Sequence, residues 1–390
     1  MNRGVSLYLD LLRVIAAFLV FFSHLGYQRF TGGDLFWIRN LNLGSDAVIL
    51  FFVLSGFVMA FSTTIKHRTL SDYTISRSAR LYSVVVPAIL FMILADSIGR
   101  YINPGAYTLP WYNEAPISEQ IFRSLTLSSH AFGDVFRVGT NGPFWSVVYE
   151  AWYYAALGIF LFSRGILRVI LLVIWAMFAG INILLLLPCW LAGVYLYKRI
   201  GSRNGSGQDT SKILNFDGKP IYILAAIVPV IIYILALIAS IPNILTAITY
   251  LSMGQKLTPG QAFGFSDEFL WSYILAFLVV LHLWGMCNLT EKLEALLTRY
   301  ESPIRWIAGG TFSLYLFHYP ILQCLHAMPG FESTKLLHQS GLAITTIILC
   351  YLLAEISERR LKAWRKLFSN LFARVESIYH SIALEKKDTK

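Results

Sequence analysis

The chain has 390 residues, 56% of them hydrophobic and 14% charged, with a formal net charge of +10. Soluble domains carry about 25% charged residues, so an ordinary soluble globular domain is excluded and a bilayer is indicated. The positive charge lies in short loops between apolar runs and in a C-terminal tail. That pattern excludes a nucleic-acid surface and fits retention of Lys and Arg on the cytoplasmic side of a membrane.

Ten apolar runs have the length needed to cross a bilayer as helices. They are read at 8–29, 45–65, 79–100, 144–163, 166–182, 183–198, 220–241, 269–289, 307–328 and 340–358. Pro188 and the lack of polar residues near it leave the fifth and sixth open to being one long kinked span. The fold class expected is all-α: a polytopic integral membrane helical bundle of about ten transmembrane helices. Both termini are placed in the cytoplasm, because the loops then inside hold Lys and Arg in roughly threefold excess over those outside. The first run is not read as a signal peptide, since Asp10 and Arg13 interrupt its apolar core and no small-residue cleavage site follows. Cys189, Cys287, Cys324 and Cys350 stand singly, without metal or disulfide spacing, so no metal site is expected.

Charged and polar side chains inside spans are expensive and mark candidate sites. In the first helix Arg13 and His24 share one face about 16 Å apart along the axis, with Asp10 near the same face. A neutral imidazole can take a proton from a hydroxyl near neutral pH, and a guanidinium binds anions. Before the third span, Arg77 and Arg80 share a face where a helix is expected to begin, a setting suited to phosphates. Ordinary positive-inside charge is the competing reading.

The segment from about 101 to 143 is long, lies outside, and carries Tyr101, Tyr107, Trp111, Tyr112, Phe122, His130, Phe132 and Phe136. It is read either as a binding cap over the outer face or as interfacial anchoring. The fourth span places Glu150 about two turns below the outer surface, near the depth expected for His24, with Ser146 on its face. Residues 201–212 read as a flexible polar connector.

The ninth span has Thr311, Tyr315 and His318 on one face, and Pro320 frees the carbonyl of residue 316, so a polar cavity is expected there. His282, Asp96 and Glu355 are read as structural. The domain division is 1–358 for the transmembrane domain and 359–390 for a basic amphipathic tail. Leu361, Trp364, Leu367, Phe368, Leu371 and Phe372 recur in that tail at helical spacing, fitting a helix on the anionic inner leaflet with membrane lipids as partners. A partner-binding helix is the alternative.

Six stretches in order resemble the acyltransferase-3 family of membrane acyltransferases. They are LDLLRVIAAFLVFFSHL, FFVLSGFVMA, Arg77-x-x-Arg80, FWSVVYEAWYY, PCWLAGVYLY and FSLYLFHYPIL. The acid often found just before FF in the second helix is replaced by Ile49, with Asp46 a turn earlier. The resemblance implies a membrane-bound O-acyltransferase in the inner or plasma membrane. It would move an acyl group, usually acetyl, from cytoplasmic acyl-CoA to a sugar hydroxyl of a surface or exported polysaccharide, lipopolysaccharide or glycolipid. Acyl-CoA would be the donor substrate, with no tightly bound cofactor, and a carbohydrate the acceptor.

Residue by residue, the resemblance implies His24 as the catalytic histidine, Arg13 as its partner in the motif, Arg77 and Arg80 as CoA-phosphate contacts, and Glu150 as an active-site acid. Asp10, Ser146, Tyr315 and His318 are the candidate lining of a substrate cavity. Intramembrane Arg, His and Glu also suit a proton-coupled transporter, although no two similar halves are visible. A non-catalytic subunit of a polysaccharide assembly complex is the third reading.

Overall fold

A computed structural model describes residues 2–65, 69–108, 112, 115–205, 219–252 and 263–388. Its principal helices are α1 (Arg3–Leu25), α2 (Leu43–Ile65), α3 (Leu70–Ile102), α4 (Phe144–Phe162), α5 (Gly165–Ala179) and α6 (Ile181–Gly205). There follow α7 (Lys219–Ile238), α8 (Phe269–Arg299), α9 (Thr311–His326), α10 (Leu336–Ile356) and α11 (Leu361–Asp388), and no strand occurs among the described residues. Among the described residues, seven helical stretches are long and apolar enough to cross a membrane: α1, α2, α3, α6, α7, α8 and Leu336–Arg374. The expected runs at 144–163, 166–182 and 307–328 are helices as well. However, α5 and α9 have only 15 and 16 residues, and α4 is diluted by Trp and Tyr.

The fifth and sixth runs are two helices, not one. The chain turns at Gly180, where φ is 80° and a side chain would collide with the backbone of Gly133. Residues 201–205 of the expected connector continue α6. Residues 206–212, like Trp111, lie outside those described.

Small residues set the tightest helix contact. A Cβ on Gly56 would strike the carbonyl of Trp190, and one on Gly193 the carbonyl of Val53, so α2 and α6 meet backbone to backbone. Asp46 is tied by Trp271 Nε1 and the Tyr233 hydroxyl, each at 2.8 Å, which joins α2 to α8 and α7. That pairing satisfies a buried carboxylate and explains its place without chemistry. Asp96 accepts from the Thr140 hydroxyl at 2.6 Å, and His282 lies 2.7 Å from the Ala226 carbonyl. Glu355 pairs with Arg359.

The long segment after α3 does not simply cover one end of the bundle. The Leu125 carbonyl accepts from Tyr82 over 2.6 Å, and Tyr82 lies roughly 30 Å along α3 from Ile102, its C-terminal end. The segment therefore folds back along the bundle. Of its aromatics, Tyr107, His130 and Phe136 are buried, while Tyr101, Phe122 and Phe132 are exposed.

The tail helix has a packed and an exposed part. Its first half packs on α3, with the Phe368 and Tyr82 rings 5.7 Å apart, while Leu367 and Leu371 stay exposed. Part of the apolar face thus packs on the bundle itself.

Candidate active site

α1 and α9 run side by side in the same direction, and their contacts order the site along the bundle. At the end of the bundle that holds the start of α1, the inner end in the orientation expected from the sequence, Arg305 Nη1 donates to Ser6 at 2.8 Å and to Asp10 at 2.5 Å. Further along, Arg13 donates to Asp10 at 3.5 Å and to Thr311 at 3.4 Å. At the outer end His24 Nδ1 lies 3.0 Å from His318 Nε2.

The histidine pair has a determined proton order when both rings are neutral. His318 Nδ1 lies 2.8 Å from the Leu314 carbonyl, which can only accept, so this nitrogen carries the proton. His318 Nε2 is then an acceptor, and His24 Nδ1 donates to it. The lone pair of His24 is left on Nε2, and a lone pair is what a general base needs. Tyr319 and Tyr27 pack on His24 with ring centroids 5.0 and 6.3 Å away. Arg39 stacks over Tyr27 at 3.6 Å and donates to the Ser23 carbonyl. Arg29 donates to the Tyr319 hydroxyl at 2.5 Å. The outer end is thus aromatic and cationic.

Below it lies a cavity of about 680 Å³. Its wall includes Arg13, Arg77, Arg80, Glu150, Ser146 and Tyr315, from α1, α3, α4 and α9. His24, His318 and Asp10 are not among the lining residues. Asp10 instead ties Arg13 to Arg305. Tyr315 stands between cavity and histidines: its hydroxyl is 2.5 Å from Ser146 Oγ, and its ring centroid is 6.5 Å from that of His318.

Two expectations about the charged groups change. α3 begins at Leu70, because Thr69 caps it and shares a reciprocal contact with Asp72. Arg77 and Arg80 therefore sit about two to three turns inside a helix, away from any helix N-terminus. Arg77 donates to Met59 Sδ at 2.9 Å and Ser76 Oγ at 3.2 Å, and Arg80 lies 5.9 Å from the centre of the Phe312 ring.

Glu150 faces the cavity and is not bonded to His24. It accepts from Ser55 and, at 2.5 Å, from Tyr154. Ser55 in turn accepts from Trp190 Nε1 at 3.2 Å. The close approach at Gly56 and Gly193 brings that indole within reach, so the tightest packing in the fold positions the acid in the cavity.

Other site residues escape a reading by charge and spacing. Asn141 Nδ2 donates at 3.0 Å to the Leu316 carbonyl, the acceptor that Pro320 leaves without its helical donor. Glu358 accepts from the backbone nitrogens of Phe312 and Ser313 at 3.1 and 3.0 Å, capping α9 from outside it. Pro320 was a visible signal for the first. The second lies in a run of charges that reads as the start of a tail.

No curated protein and no solved structure matches the chain. The family described as "Acyltransferase domain" matches residues 6–355, which include His24, His318, Glu150 and the cavity arginines Arg13, Arg77 and Arg80. The chain accordingly belongs to the acyltransferase-3 family and is a multi-pass membrane acyltransferase.

Proposed function

We propose that this acyltransferase takes an acyl group, acetyl in the first instance, from cytoplasmic acyl-CoA and places it on a sugar hydroxyl at the outer side of the membrane. The observation that carries the reading is the linear order of groups. A cavity lined by Arg77, Arg80 and Arg13 ends at Tyr315 and Ser146, with the His24–His318 pair immediately beyond. Phosphates suit the guanidiniums, and a narrow thioester arm suits the remaining depth. The acceptor would be a carbohydrate of an exported polysaccharide or glycolipid, for which the aromatic outer end offers stacking faces.

The chemistry requires Tyr315 to swing aside so that the thioester carbonyl reaches His24. Nε2 of His24 then takes the proton of the attacking hydroxyl as oxygen bonds to the carbonyl carbon. The tetrahedral adduct collapses, the carbon–sulfur bond breaks, and the thiolate takes the proton back from His24. An ester and free CoA thiol result. Arg13 fits a contact with the donor arm and not with the oxyanion, because about 16 Å of helix separates it from His24. Glu150 fits the same arm. A covalent acyl-His24 intermediate fits the geometry equally, and trapping of labelled acyl groups without acceptor distinguishes it.

The test is release of CoA thiol from acetyl-CoA by purified protein in nanodiscs, with and without bacterial polysaccharide fractions, in wild type and His24→Ala. Acceptor-dependent release that the substitution lowers by about 10²–10⁴ is expected. Folded wild-type protein that neither binds nor turns over any acyl-CoA would overturn the donor assignment.

A further inference from the structure

The inner end of the cavity is closed by a segment beyond the family match. That match ends at residue 355, yet α11 contributes Arg365 and Ser369 to the wall. The aromatic contact of Phe368 with Tyr82 holds α11 on α3 and sets where Arg365 stands.

Arg365 Nη2 donates to Ser76 Oγ over 3.4 Å, and Arg77 Nη2 donates to the same oxygen over 3.2 Å. Two guanidiniums thus converge on one neutral hydroxyl, an arrangement whose mutual repulsion a bridging anion would reverse. Among the described residues Arg365 forms no ion pair. The two carboxylates in the wall are engaged by hydroxyls: Asp72 by Thr69, and Glu150 by Ser55 and Tyr154. Arg80 lies about one helical turn deeper than Arg77, and Arg13 reaches the cavity from α1. The cations therefore form a series from the mouth inward.

We propose that Arg365, with Ser369 beside it and Arg77 opposite, binds the terminal phosphomonoester of the donor's nucleotide at the inner mouth of the cavity. The proposal rests on the acyl-CoA reading above. In a donor inserted thioester first, the ribose phosphomonoester is the phosphate that enters last, and Arg365 is the cation that closes behind it. A phospholipid headgroup offers the same phosphate chemistry at the same depth, so the experiment separates the two sources.

Full-length protein in phospholipid-free detergent is titrated calorimetrically with CoA and with 3′-dephospho-CoA, using wild type, Arg365→Gln, Arg80→Gln and Lys366→Gln. Arg365→Gln is expected to weaken CoA about tenfold and to leave 3′-dephospho-CoA unchanged, with Lys366→Gln behaving as wild type. The same difference is expected in nanodiscs with and without anionic lipid. Unchanged CoA affinity in Arg365→Gln, while Arg80→Gln weakens it, overturns this proposal and leaves the donor reading standing. An equal loss for both nucleotides, or a loss confined to anionic nanodiscs, also overturns it. Failure of the wild type to bind either nucleotide defeats the donor reading itself.

Discussion

His318 presents Nε2 to Nδ1 of His24 at 3.0 Å, from a helix that starts 287 positions later in the chain. The second imidazole occupies the place that a carboxylate fills in many general-base pairs, and it fixes the tautomer of the first. Removing it should lower turnover more than donor binding. His318→Ala is expected to reduce kcat by about 10–10², short of the loss from His24→Ala. His318→Gln, whose amide oxygen can still accept from Nδ1, should retain more activity than His318→Ala. Equal loss in the two variants, measured as thiol release, would count against the tautomer role.

Tyr315 and Ser146 close the cavity below the histidines through a buried hydroxyl pair 2.5 Å apart. Tyr315→Phe removes that bond, worth about 1 kcal/mol, and keeps the ring. Release of thiol without acceptor should rise roughly fivefold, as the barrier between donor and outer water opens more often. Unaltered background hydrolysis would show that the pair does not gate the site.

Asn141 and Pro320 form a complementary set around the Leu316 carbonyl. Asn141→Ala leaves a buried acceptor unpaired and should destabilise the protein by about 1–3 kcal/mol, read as a lower unfolding temperature in detergent. Pro320→Ala restores a backbone N–H to α9 and should rescue much of that loss in the double variant. Simple additivity of the two substitutions would refute the account.

His130 lies in the connection between α3 and α4, buried, with Nδ1 3.1 Å from Ser129 Oγ. Burial, with Arg137 nearby, pushes its pKa down to about 3. Between its unfolded value near 6.5 and about 3, the unfolded chain binds the proton and the folded one does not. Stability therefore rises with pH through this window and falls as acid is added. His130→Phe should flatten the fall in unfolding temperature between pH 7 and pH 5; an unchanged slope would assign the acid sensitivity elsewhere.

Much of this fold is written in composition and periodicity. The all-helical bundle, the shared face of Thr311, Tyr315 and His318, and the carbonyl freed by Pro320 all follow from runs, spacing and proline chemistry. Partnerships between distant segments do not. Glu150 reads as lying near the depth of His24 because depth was judged from helix ends, whereas the contact of Gly56 with α6 delivers Ser55 to it. Arg77 and Arg80 read as helix-entry residues because the apolar run begins near 79; the cap at Thr69 starts the helix earlier. The tail's apolar stripe announces burial without naming the surface that buries it.

The cavity wall runs in sequence from Arg13 to Ser369, which has a consequence for biosynthesis. A chain inserted from its N-terminus exposes the guanidiniums of α1 and α3 in the bilayer long before α9 and α11 are translated. The pocket is finished only after Ser369 has left the ribosome. Until then those charges need temporary company, from lipid headgroups, water or the insertion machinery, and a ribosome-stalled intermediate should hold no donor.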